Sequence, residues 1–368
     1  MAGERAIGLL HIFPSFARGG QQMRLAALAE AFQDEFRHHV VSLDGDISAR
    51  SAFAEDSISI EAFRARKSRL VSLANVNALR RVIADAGADM LCTYNFGALE
   101  AAIANRLWAR LPHIHYEDGF GADEARRQKR RRALLRRLVL RDSFVVVPSQ
   151  KLADIALMSW RLSPARLRLI TNGVDVAKFR AAPRRPVDET VIVGAVGGLR
   201  PEKNVGRLIR AFAALPADAK AKLVIFGDGP ERARLEALVR KSGAAVEFRG
   251  ATTQPEKAYA SIDIFALSSD TEQAPLSLME AMAAGLPIVT TQAGDIRSML
   301  APINTEFATP LGDERAFEMA LRRLVQSENL RARLGAANAE KAAAAFGLEG
   351  MAAAHRALFE EALARDAA

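Results

Sequence analysis

Two rhythms alternate along the chain. Short apolar runs of strand length fall at 6–13, 38–43, 89–93, 112–116, 144–147 and 168–171. Between them lie stretches whose apolar residues recur at helical spacing. From Gln21 to Phe32, for example, Leu25, Leu28, Ala29 and Phe32 share one face. The run Phe144–Val147 stops at Pro148, with Ser149 placed to cap a helix. The second half repeats the scheme, with strands predicted at 191–196, 222–226, 245–248, 263–267 and 287–290. After Asn204, Val205, Leu208, Ile209 and Phe212 sit at i, i+3, i+4 and i+7. From Glu314 onward the chain is rich in Ala and Arg and reads as mostly helical. Strand and helix in alternation predict an α/β fold whose parallel sheets carry helices on both faces, and two such runs predict two Rossmann-like domains. Val174–Glu189, with Pro183, Arg184, Arg185 and Pro186, reads as a linker. The expected division is therefore 1–173, a linker at 174–189, a second domain at 190–345 and a terminal helix at 346–368.

The length of 368 residues suits two domains, and 50% hydrophobic residues exclude a wholly disordered chain. The single cysteine, Cys92, excludes a disulfide scaffold and a cysteine zinc site and points to a reducing, cytoplasmic compartment. No run is long enough to span a membrane. The run Ala6–Phe13 holds His11 and stops at Pro14, and it reads as a buried strand and not as a signal peptide. The net charge of +8 is unevenly placed: Met1–Asp175 holds 26 basic and 19 acidic residues, the remainder 25 and 24. The basic half therefore suggests an anionic partner.

Three loops carry candidate chemistry, each after a predicted strand and before a predicted helix. The first is Ser268–Pro287, where Pro275 falls near a helix start that offers free N–H groups to an anion. It holds Glu272 in the loop and Glu280 in the helix, eight positions apart (E-x7-E). A carboxylate accepts from two hydroxyls at once and so suits a sugar or ribose diol. Such a pair also occurs as a helix cap and a solvated helical residue. The apolar neighbours Leu278, Met279, Ala281 and Met282, and the stop Gly285-Leu286-Pro287, count against solvation of Glu280. The second loop is Gly197-Gly198-Leu199-Arg200-Pro201-Glu202-Lys203-Asn204, where glycines admit a ligand to the backbone and Lys203 suits a phosphate. An ordinary βα turn is the other reading, since G-x-G-x-x-G is missing. The third is Phe13–Gly20, where Gly19-Gly20 either admits a ligand or serves a turn needing positive φ.

With Gly19-Gly20, Asn172-Gly173-Val174-Asp175 leading to Phe179, Gly197 with Lys203, Phe226-Gly227-Asp228-Gly229-Pro230 and Glu272 through Gly285, the chain resembles the retaining GT-B glycosyltransferases of family 4 over its whole length. The resemblance implies two Rossmann-like domains with parallel sheets facing across a cleft, with 346–368 packing back on the N-terminal domain. It implies that Glu280 holds the ribose hydroxyls of a sugar nucleotide and Glu272 the donor sugar. The diphosphate would meet Lys203 and the backbone at Ala274, Pro275 and Leu276, with Gly227 in the donor site and Gly19-Gly20 contributed by the other domain. No metal or other cofactor is implied, and Asp44-Gly45-Asp46 reads as a turn. Two departures stand out. The family places Arg directly after the residue matching Gly197, whereas this chain has Gly198, with Arg200 as the available substitute. The family's N-terminal His is matched by Asp118, a candidate base for an acceptor hydroxyl or a surface turn residue. His115 is a second candidate, or a core histidine.

Arg126–Arg141 holds nine cations in sixteen residues, with Leu134, Leu135, Leu138 and Val139 at helical spacing. Arg64, Arg66, Lys67 and Arg69 form a second basic group. Arg126, Arg127, Arg130, Arg131, Arg136 and Arg137 fit peripheral contact with an anionic membrane, or a solvated helix face. With 6% aromatic residues and none interleaved with these arginines, nucleic acid is not expected as a partner. The expected activity is transfer of a sugar from a nucleotide sugar to a glycan or lipid-linked acceptor at the cytoplasmic membrane face, as in polysaccharide, lipopolysaccharide or glycolipid synthesis. The alternative is a GT-B-like binding protein without catalysis that recruits partners or anionic lipid.

Overall fold

The computed structural model describes residues 5–66, 71–120, 128–185 and 189–366. Lys67, Arg69, Arg126, Arg127 and Pro186 lie outside them. The chain divides into two compact units: Met1–Asn172 with Glu349–Ala368, and Gly173–Leu348.

In the first unit the strands are β1 (Ile7–Phe13), β2 (Phe36–Ser42), β3 (Ile58–Ala62), β4 (Met90–Tyr94), β5 (His113–Tyr116), β6 (Phe144–Val147) and β7 (Leu167–Leu169). They pair in parallel in the order β3-β2-β1-β4-β5-β6-β7. The second unit has β8 (Val191–Val196), β9 (Ala221–Phe226), β10 (Val246–Gly250), β11 (Ile264–Leu267), β12 (Ile288–Thr291) and β13 (Ala308–Thr309). Their order is β10-β9-β8-β11-β12-β13, again parallel. The central strands are buried on both faces, which is why β1, β4, β6 and β11 read as continuous apolar runs.

Strand order reverses between β1 and β4 in the first unit and between β8 and β11 in the second. Such reversals open a crevice beyond the carboxyl ends of the strands. The loops that follow β1, β8 and β11 are the three singled out from sequence. β3 and β13 lie at sheet edges and were not predicted. β3 buries little beyond Ile58, and β13 has two residues, so neither writes an apolar run.

The stretch 174–185 differs from a free linker. Val174 pairs with Gly347, Val176–Ala181 is a helix, and Phe179 packs in the second unit's core beside Tyr259. Arg185 binds Asp263 at 2.5 Å. Its prolines and arginines resemble linker composition, but Phe179 anchors the segment. The terminal helix Leu348–Asp366 brings Phe359 against Phe32 and Phe36 of the first unit.

Candidate functional site

The second unit assembles its site at the β8/β11 reversal. After β8, Gly197 takes φ +147°, a conformation open to glycine. Its amide donates to the Phe226 carbonyl at 2.9 Å. A Cβ on Gly227 would lie 1.9 Å from the Gly197 carbonyl oxygen, so Gly227 is required for one loop to lie on the other. The Leu199 amide continues the contact, donating to the Asp228 carbonyl at 2.9 Å. A pocket of about 30 Å³ sits there, lined by Gly197, Gly198, Leu199, Lys203, Leu267 and Ser268.

Lys203 and Glu272, treated separately in the sequence, meet across this crevice. The Lys203 ammonium donates to Glu272 Oε1 at 2.5 Å, and the Ser269 hydroxyl donates to the same oxygen at 2.7 Å. An ammonium carries three donors, so Lys203 keeps capacity for phosphate while holding Glu272. Behind them Arg207 and Asn204 were missed. Arg207 binds Asp270 at 2.8 Å and the Ser268 carbonyl at 2.8 Å. Asn204 donates to both Asp270 oxygens at 3.1 and 3.2 Å. These bonds fix the loop after β11 to the helix after β8. Their signal in the sequence was slight: Arg207 is one of two arginines on helix Val205–Ala213, and only the fold shows that it is the buried one.

Helix Leu276–Ala283 follows, with Pro275 at its N-cap and Ala274 buried before it. Their position leaves the first-turn N–H groups of the helix at the crevice. Glu280 is half-buried in this helix and accepts from the Tyr259 hydroxyl at 2.8 Å. Burial, then the Glu280 charge, pushes the Tyr259 hydroxyl up, so it stays a donor. Tyr259 orients Glu280, and nothing in Ala258-Tyr259-Ala260 signals it. Gly294 also acts through space: its φ is +60°, and a Cβ there would lie 2.0 Å from the Glu272 carbonyl oxygen.

The departures from the family pattern resolve differently. Gly198 does not adopt positive φ. A Cβ there would lie 3.2 Å from Nε of Arg200, whose guanidinium therefore occupies the space beside Gly198. That head is about half exposed and 3.7 Å from Glu202.

In the first unit, Gly19 has φ −166°, so positive φ is not what its glycine supplies. Asp118 is neither a surface turn residue nor a free carboxylate. Its oxygens accept from Arg24 at 2.5 and 2.8 Å and from Gln21 at 2.6 Å. Burial raises its pKa, but the Arg24 charge and hydrogen bonds outweigh that and hold the carboxyl below its usual range. His115 is a core histidine, fully buried against the Thr93 hydroxyl at 2.8 Å. Asp44 accepts from the Asp46 amide at 2.9 Å and from Ser42, as a turn does. Among the described residues, no cluster of three His, Cys, Asp or Glu side chains is placed to hold a metal.

The basic helix spans Arg130–Val139. Arg130, Arg131 and Arg137 are exposed, as are Leu134 and Leu138, each 55%. Arg136 departs from the expected surface role: it is 1% exposed, donates to Glu117 at 2.8 Å, and lies 4.9 Å from the Phe96 and Trp160 ring centres. Its place on the helix, three residues before Val139, turns it inward with the apolar face. Among the described residues no helix is long and apolar enough to cross a membrane.

An Anabaena protein, Alr3699/HepE, solved in complex with UDP-glucose, shares the fold with a TM-score of 0.81 at 19% identity, over 96% of this chain and 100% of that one. The architecture is thus that of the GT-B class. Residues 18–178 match the family model described as Glycosyltransferase Family 4, and 176–341 the model described as Glycosyl transferases group 1. The chain belongs to the family 4 GT-B glycosyltransferases. A GDP-mannose-dependent alpha-mannosyltransferase of Mycobacterium tuberculosis is 37% identical over 157 residues, 40% of this chain and 39% of that protein. The lipopolysaccharide core biosynthesis glycosyltransferase LpsE of Rhizobium meliloti is 30% identical over 174 residues, 46% of this chain and 50% of that protein. The matches thus span half or less of these relatives' length.

Proposed function

We propose that the protein transfers a sugar from a nucleotide sugar to a glycan or lipid-linked acceptor, with net retention at the anomeric carbon. The observation that carries this reading is the joining of Lys203, Glu272 and the Tyr259-held Glu280 at one strand-order reversal. Glu280 receives the ribose hydroxyls and Glu272 the sugar hydroxyls. Lys203, Arg200 and the amides at Ala274–Leu276 take the diphosphate, whose growing charge they stabilise as the anomeric C–O bond breaks. The acceptor oxygen forms the new bond and its proton passes to the leaving phosphate, without an obligate covalent intermediate. No metal is assigned a role. The mannosyltransferase relative makes GDP-mannose the first donor to test. The acceptor is presented at an anionic membrane surface, supported by exposed Leu134 and Leu138 among Arg130, Arg131 and Arg137.

Calorimetric titration of GDP, UDP and ADP and their sugar conjugates into wild type and Glu280→Ala tests the donor site. One nucleotide should bind at micromolar affinity and weaken at least about 30-fold in the variant, the loss of charge-assisted hydrogen bonds worth about 2 kcal/mol or more. Absence of binding by all three would favour the binding-protein alternative.

A further inference from the structure

The loop after β5 places two acidic residues back to back. Glu117 turns to one side and takes Arg136 from the basic helix. Asp118 turns to the other and takes both Gln21 and Arg24 from helix Gly20–Phe32. Gln21 and Arg24 are three apart and share a helix face, so Asp118 straps the first turn of that helix. That turn begins at Gly19-Gly20. Arg24 itself is 2% exposed, donates to Asn172 at 3.0 Å, and lies 5.0 Å from the Tyr116 ring centre. Tyr116 is stacked in turn on His355 of the terminal helix, 5.8 Å away.

We propose that Asp118 is a positioning residue: held by Arg24, it fixes the Gly19-Gly20 turn and does not act as the base of the transfer. The transfer itself rests on the reading under Proposed function. Both Asp118 oxygens are already accepting, and protonating either would leave the buried Arg24 guanidinium without its counter-charge. A carboxylate so held is also a weak base. The position at which the family carries a His thus holds a closed ion pair in this chain. Its work is to set the helix start at Gly19-Gly20. Gln21 and Arg24, from one helix, and Asn172, from a distant segment, belong to the same device.

Three variants decide this, each read by hydrogen exchange at the Met23 and Arg24 amides and by steady-state kinetics with GDP-mannose across pH. Asp118→Asn keeps an acceptor for Gln21 and Arg24. It should keep kcat within about tenfold and leave the acidic limb of the pH profile in place, where a lost base costs about 100- to 10,000-fold. Asp118→Ala frees the turn, so exchange should quicken about tenfold or more and the donor KM should rise more than kcat falls. Arg24→Gln/Asp118→Asn removes both charges together. It guards against a single variant unfolded by an unpaired buried charge, and it should lie closer to wild type than Asp118→Ala. Loss of the acidic limb in Asp118→Asn, or unchanged exchange in Asp118→Ala, overturns the proposal. If wild type uses no nucleotide sugar, the transferase reading fails while the exchange arm still decides the role of Asp118.

Discussion

Single residues of this site are legible where their chemistry is unusual for their surroundings. Glu280 stands among apolar neighbours, and a carboxylate in such company requires a partner. The sequence marks Glu280, whereas Tyr259, twenty-one residues earlier, is found only through the fold. Likewise Lys203 and Glu272 are sixty-nine positions apart, and no spacing rule pairs them. Arg200 is the residue whose role the sequence left most open. Its guanidinium beside Gly198 stands where a side chain at 198 would project. Arg200→Ala should therefore weaken binding of the nucleoside diphosphate about tenfold, as expected for one charge-assisted contact, while binding of the nucleoside alone changes little. Equal titration curves for the diphosphate in both proteins would remove Arg200 from the phosphate site.

At the scale of elements, loops are positioned by backbone packed on backbone, which no side-chain pattern announces. Gly294 lets the loop after β12 lie on the Glu272 loop. Gly294→Ala should lower stability by about 1–3 kcal/mol, from strain at positive φ, and weaken donor binding because the Glu272 loop must move. Thermal melting and calorimetry of the variant check both effects. The basic helix shows a related limit. Its arginines look alike in sequence, yet Arg136 is a core residue and Arg130, Arg131 and Arg137 face solvent. Replacing those three with Ser, and leaving Arg136 in place, should release the protein from vesicles containing anionic lipid, because each cation near the surface is worth about 1 kcal/mol. Co-sedimentation that persists after the change would count against membrane contact by this helix.

Across the whole molecule, basic charge and buried histidines gather in the first unit. Burial lowers His38 and His355 to about 4 and His113 to about 3, all from 6.5. Each is neutral when folded, and in the unfolded chain each binds a proton near its ordinary value. The unfolded state therefore holds more protons between pH 6.5 and about 4, and stability falls as pH drops through that window. Melting temperatures at pH 7, 6 and 5 should decline in order, and His355→Leu should flatten the slope. A slope unchanged by that substitution would show that His355 does not titrate this way.

By itself the sequence determined the two doubly wound units, because central parallel strands must be apolar on both faces and their helices on one. It also marked the loops after β1, β8 and β11, which lie at the strand-order reversals, since the chain must turn there with glycine, proline and polar residues beyond a strand's end. Tertiary structure alone decided that Asp118 is closed by Arg24 and Gln21, that Tyr259 holds Glu280 and that Arg136 is buried. It also decided that Val174–Arg185 packs in the second unit instead of running free. The physical reason is the same throughout: a strand or helix is written by residues a few positions apart. The partner of a buried charge is chosen by whichever distant segment the fold brings within 3 Å.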